Sequence, residues 1–144
     1  MLEQGKAVMS RYYEAWNARD LDAFDQLFAP DAIDHDVQNP YAATHGPAGA
    51  KRVAEMYHSA FSDSRFEVHE QIGEGELIVT RWTGKGTNDG ELMGMPPTGK
   101  YATIEGITIA RIASSKIAET WTCWDTLGML QQLGAVPAAQ QTAI

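Results

Sequence analysis

The stretch Ala102-Thr103-Ile104-Glu105-Gly106-Ile107-Thr108-Ile109-Ala110-Arg111-Ile112 decides the fold class. Ile107, Ile109 and Arg111 fall on one face, and Gly106, Thr108 and Ala110 on the other, which is the period of a pleated strand. Ser114-Ser115 then makes a turn into a second run over residues 117–124. Upstream, residues 66–72 and 77–83 read as two more strands, joined by the turn Gly73-Glu74-Gly75. Residues 84–99 are rich in Gly and Pro and predict a loop or a long excursion. Asp125 caps a short closing helix that stops at Gly134.

Before residue 63 the period changes from two to between three and four. Val8 or Met9, Tyr12, Tyr13 and Trp16 mark the apolar stripe of a first helix ending near residues 17–19. Asp20 reads as the N-cap of a second, carrying Leu21, Phe24, Leu27 and Phe28 and ended by Pro30. Residues 33–37 predict a short extended piece. A third helix places Val53, Met56, Tyr57, Ala60 and Phe61 on one stripe. Three helices, a run of long strands and one short helix define an α+β domain. The expected architecture is a cone, a curled antiparallel sheet whose mouth the N-terminal helices close around a pocket.

The chain has 144 residues, enough for one core, with a domain expected over residues 1–136 and a flexible tail over 137–144. A formal charge of -8 argues against nucleic acid or an anionic membrane as partner, because both require a basic stripe. One Cys excludes an intrachain disulfide and a thiolate zinc cluster. No apolar run reaches the roughly 18 residues of a membrane span. Glu3 and Gly5 interrupt the place where a signal peptide would be apolar, so a cytoplasmic protein is expected.

Two stretches carry a resemblance. One is Gly90-Glu91-Leu92-Met93-Gly94-Met95-Pro96-Pro97-Thr98-Gly99-Lys100; the other runs from Lys116-Ile117 through Trp121 and Asp125 to Gln132-Leu133-Gly134. Together with Asp34-His35-Asp36 and His45-Gly46-Pro47, they resemble the SnoaL-like polyketide cyclases (ester cyclases) of the nuclear-transport-factor-2-like superfamily. The resemblance implies an aldol ring closure in a polyketide ester, without metal or organic cofactor. A carboxylate or imidazole in an apolar pocket would abstract a proton next to a carbonyl while a donor steadies the enolate. It also places an acid at Thr122, often a His at Thr120, and a His in the preceding strand at Thr108. A hydroxyl is no general base near neutral pH, so that mechanism cannot be carried over unchanged.

Asp34 and His35 are the candidate proton-handling groups. They belong to the acidic cluster Asp34-His35-Asp36, in which alternation sends both Asp side chains one way and His35 the other. A surface turn would read alike. The cluster has no second set of ligands, so no metal is expected. Thr108, Thr120, Thr122 and Trp124 share one strand face and are the candidate pocket lining. Trp82 and Trp16 read equally as wall or as core, and Met93 and Met95 as a soft rim or as packing under the loop. Glu105 and Arg111 lie on the opposite face, available to Lys100, Arg81 or a partner subunit. His45, His58 and His69 read as ordinary surface or helix residues, and Cys123 as a small buried hydrophobe. The expected ligand is a hydrophobic small molecule and the expected assembly a homodimer through the outer sheet face. Two rival readings are an epoxide-opening hydrolase or cyclase and a binding protein that lost its base.

Overall fold

A computed structural model describes residues 2–137; the expected tail, from 138 on, lies outside the described residues. Helix α1 (Leu2–Ala18) buries Val8, Met9, Tyr13 and Trp16. It stops at Arg19, whose φ of +60° is left-handed. The Arg19 guanidinium offsets that strain by donating to the carbonyls of Ser64 (2.6 Å), Ser62 (2.7 Å) and Asn17 (3.1 Å), which ties α1 to the segment before the sheet.

The second expected helix is shorter than its stripe suggests. It divides into a 3₁₀ turn (Leu21–Ala23) and one α-turn, α2 (Phe24–Leu27), and Asp20 makes no side-chain cap. Phe28 continues the three-and-four spacing but has extended backbone and opens strand β1 (Phe28–Asp34). Pro30 therefore sits inside a strand rather than ending a helix. It is tolerated because β1 is at the sheet edge, where a missing N–H costs no ladder bond. Helix α3 (Gly46–Ala60) starts with its backbone against β1. Gly46 has φ +75°, and a Cβ there would collide with the Pro30 carbonyl oxygen, so only glycine fits.

Strands β2 (Arg65–Glu74), β3 (Leu77–Thr87), β4 (Tyr101–Ala113) and β5 (Lys116–Trp124) follow. Strand β3 runs through Thr87, so the loop begins later than the glycines suggest: alternation persists through Gly84 and Gly86, which pair with Ile104 and Ala102. The sheet order is β1-β5-β4-β3-β2. All neighbours are antiparallel except β1, which pairs parallel with β5 and makes the sheet mixed rather than purely antiparallel. Four α-helices accompany the curled five-stranded sheet, giving the cone-shaped α+β fold. Helix α4 (Thr126–Gln132) is capped by Asp125, whose side chain accepts from the Gly128 amide.

The main core joins α1, α2 and the inner sheet face; a smaller one joins Phe61, Leu92, Ala102, Met129 and Leu133 beneath the 88–100 loop. Among the described residues, the outer face keeps exposed apolar side chains at Ile72, Ile107 and Trp121. Cys123 is exposed there, contrary to expectation, because it shares the face of Ile107 and Trp121, themselves 45% and 37% exposed. Arg111 pairs with Glu119, and Arg81 with Glu70, not with Glu105. No helix of the described residues is long and apolar enough to cross a membrane.

Candidate functional site

Between α1, α3 and the inner sheet face lies a cavity of about 190 Å³, walled mainly by aromatic and aliphatic side chains. Inward alternation brings Thr108 of β4 and Thr122 and Trp124 of β5 to it, and Thr120 joins them. Trp82 and Trp16 line it as well while being almost wholly buried, so their two readings coincide. Trp82 Nε1 donates to Thr108 Oγ1 at 3.0 Å, and Thr108 Oγ1 lies 3.2 Å from Thr122 Oγ1. The indole N–H is thus committed to the wall.

The acidic cluster divides as alternation requires, with the sides settled by packing. Asp34 and Asp36 line the cavity. His35 is not among its lining residues: its ring stacks on Trp121 on the outer face and its Nε2 meets Glu119 Oε2 at 2.8 Å. The expected proton handler is therefore turned away from the cavity. The parallel register that pairs Asp34 with Thr120, held on by the His35 amide bonding the Thr120 carbonyl at 2.8 Å, fixes this orientation.

Asp34 is fully engaged, accepting from the Asp36 amide (2.9 Å), Asn39 Nδ2 (2.7 Å) and Thr120 Oγ1 (3.3 Å). Burial raises the Asp36 carboxyl above the usual range; the Gln38 amide opposes this, the neighbouring Asp34 adds to it, and the Trp124 indole opposes it. The Tyr57 phenol is pushed up by burial and then by Asp36 and Asp34, and Tyr12 by burial, Tyr13 and Asp34. Both remain protonated donors beside the acids. Tyr12, Tyr13, Tyr57 and Asn39, which the sequence reading did not assign to the site, all line it. The usable signal was the Tyr12-Tyr13 pair on a helical stripe, which reads as core.

Met93 and Met95 do not line the cavity. Met93 is 52% exposed at the loop tip, and Met95 bridges Leu92 and packs against the smaller core. Among the described residues, no three His, Cys, Asp or Glu side chains are grouped so as to hold a metal ion.

The family model for SnoaL-like polyketide cyclase matches residues 6–133. The chain belongs to the SnoaL-like polyketide cyclase family. Among its relatives is the aklanonic acid methyl ester cyclase DauD of Streptomyces sp. strain C5, 31% identical over 136 residues that cover 88% of this chain and 80% of DauD. IdmH of Streptomyces antibioticus, described as a candidate polyketide cyclase, is 32% identical, with a TM-score of 0.77 over 91% of this chain and 99% of that one. AclR of Streptomyces galilaeus, described as a candidate hydroxylase, is 26% identical, with a TM-score of 0.84 over 98% of this chain and 87% of that one. The family accounts for the cone and the cavity. On β5 this chain carries Thr120 and Thr122.

Proposed function

We propose that the protein is a cofactor-independent cyclase or isomerase acting on a hydrophobic, polyketide-like small molecule, with Asp36 as the proton-transfer group. The supporting observation is the placement of Asp36 in an apolar cavity beside β5. Strand β1 ends with Asp34 beside Thr120, and Asp36, in the turn that follows, lines the same cavity as Thr122, where the family resemblance places an acid, and interacts with the Trp124 indole. An acid supplied from the turn after β1 would stand in for one missing from β5. The Asp36 carboxylate takes a proton from the carbon next to a carbonyl, and the enolate attacks a second carbonyl of the same molecule. The alkoxide so formed recovers the proton from the Asp36 carboxyl, so nothing is lost and the product is an isomer of the substrate. A raised carboxyl pKa brings base and substrate closer in proton affinity. Asp34 holds the Asp36 amide, and Thr108, Thr120, Thr122, Trp16, Trp82 and Trp124 shape the substrate into a near-attack fold.

The test is turnover of an aromatic polyketide methyl ester. Asp36→Asn is expected to abolish it, and Thr122→Asp in that background to restore part of it. Full activity in Asp36→Asn would refute the assignment. The pairing of Asp34 and Asp36 in one cavity also supports a second reading, epoxide opening, in which one acid protonates the epoxide oxygen and the other activates water. Asp36→Asn and Asp34→Asn then both stop hydrolysis of an aromatic epoxide, while the polyketide ester is untouched by the wild type. A binding protein would hold the ester without turning it over in any variant.

We also propose that a second copy covers the outer sheet face. Ile72, Val79, Ile109 and Trp121 form one cross-strand row there, with Ile107 and Cys123 beside it. In a dimer, Cys123 resists a thiol reagent until dilution or Trp121→Arg separates the copies. Rapid labelling of a sedimenting monomer refutes this.

A further inference from the structure

Helix α3 presents one stripe to the cavity, made of Gly46, Gly49, Ala50, Val53, Tyr57 and Phe61 at the three- and four-residue spacing of a helix face. Only Tyr57 brings a polar side-chain atom. Its ring packs edge-to-face on Trp124, at 6.1 Å between centroids and 84° between planes, and packs against both cores. The Trp124 indole in turn interacts with Asp36. Phenol, indole and acid therefore stand next to one another in the cavity wall.

Tyr57 is half-buried, and its hydroxyl makes no hydrogen bond among the described residues. Its oxygen keeps accessible surface, whereas those of Tyr13 and Thr80 are sealed in the interior. Burial pushes the phenol up, and the Asp36 and Asp34 carboxyls push it further, with no hydrogen bond opposing the rise. The other inward hydroxyls are spoken for. Thr120 Oγ1 is engaged with Asp34, and Thr108 and Thr122 with each other and with the Trp82 indole. Tyr12 is wedged among the rings of Tyr13, Phe24 and Phe28, and it feels Asp34 but not Asp36.

Proton abstraction by Asp36 moves negative charge from its carboxylate to the oxygen of the substrate carbonyl. An oxyanion without a donor is costly in an apolar cavity. We infer that Tyr57 is a further catalytic residue, whose O–H donates a hydrogen bond to the carbonyl oxygen adjoining the carbon that Asp36 deprotonates. The proton stays on the phenol throughout; only the hydrogen bond strengthens as the oxygen gains charge. The inference rests on the reading of Asp36 as the proton-transfer group. It also limits the substrate class, since the acidic carbon must carry its carbonyl oxygen on the α3 side of the cavity.

Tyr57→Phe tests this, because it keeps the ring against Trp124 and removes a hydroxyl that the fold does not use. Its melting temperature should match the wild type. With an aromatic polyketide methyl ester, kcat should fall about 10- to 100-fold while KM changes less than about threefold, the pattern of an interaction made chiefly in the transition state. Turnover within twofold of the wild type overturns the donor and leaves Asp36 standing. A second arm does not depend on turnover. In the Asp36→Asn background, which imitates the protonated acid, calorimetry compares 4-nitrophenolate, a delocalised oxyanion, with nitrobenzene, which lacks that oxygen. Adding Tyr57→Phe should weaken the phenolate about 10-fold or more and nitrobenzene less than about twofold. Equal weakening of both, no change in either, or no binding of the phenolate before Tyr57 is altered overturns the donor. A wild type that never turns over the ester removes the Asp36 reading, and the binding arm then decides by itself whether Tyr57 holds an oxyanion.

Discussion

Gly106→Ala tests the packing on which the cavity wall depends. Gly106 sits in β4 opposite Trp82 and Trp124. A Cβ there would overlap Trp82 Cζ2, come within 2.5 Å of Trp82 Cη2 and lie 2.9 Å from Trp124 Cβ. The indole cannot yield cheaply. It is a rigid bicycle, packed edge-to-face on Phe66 at 4.7 Å and bonded through Nε1 to Thr108. Overpacking of this kind costs about 1–3 kcal/mol. Displacing the indole far enough to lose its hydrogen bond adds about 0.5–1.5 kcal/mol. The sum, roughly 2–4 kcal/mol, corresponds to a fall in melting temperature of about 5–15 °C for a chain of this size. Urea unfolding of the variant should show a lower midpoint at unchanged slope. Trp82→Phe removes the ring edge that collides, so the double variant should be less destabilised than the two single changes sum to, by about 1 kcal/mol or more. A Gly106→Ala protein as stable as the wild type would refute the reasoning, because the indole could not then be seated over residue 106.

Asp36→Asn should abolish one component of the pH dependence of stability. A carboxyl raised in the folded state makes the wild type lose stability as pH climbs from the unfolded value near 3.8 through the folded one, so the variant gains relative to it above that window and not below. This is read from urea midpoints across pH. His58 acts in the opposite range: burial, and then Arg19, lower its pKa to about 4, so stability should fall as pH drops from 6.5 toward 4. His58→Phe, which keeps a ring against Trp16, should flatten that slope in thermal melts at pH 7, 5.5 and 4.5. Arg19→Ala should cost about 1–3 kcal/mol by leaving the Ser62 and Ser64 carbonyls without their donor. Arg19→Gly should cost less, since glycine accepts the φ of +60°.

Long alternating strands were the most legible part of the sequence, because period two over residues 102–112 has few competing readings. At Phe28 the reading failed for a local reason. Its spacing from Phe24 suits a helix, while pairing with Ile117 across the sheet holds it extended, and only tertiary structure shows that pairing. The acidic cluster shows the same limit. Alternation separated His35 from Asp34 and Asp36, but a period fixes relative sides, not which side is inside. That choice is made by β5, whose Glu119 and Trp121 take His35 outward and whose Thr120 takes Asp34 inward. Cys123 was misplaced because burial of its face needs a partner that the sequence does not describe.

Asn88 is 1% exposed and closes the base of the loop over residues 88–100. Its amide donates to the Ala60 and Gly90 carbonyls at 3.2 and 2.9 Å and accepts from the Thr98 amide and hydroxyl at 2.9 and 3.0 Å. One side chain thereby clips both ends of the excursion to the end of α3, leaving the tip at Met93 and Gly94 mechanically independent of the walls below. Tips of different length or composition could be exchanged onto that clip as cassettes while the cavity, lined by none of residues 88–100, stays unaltered.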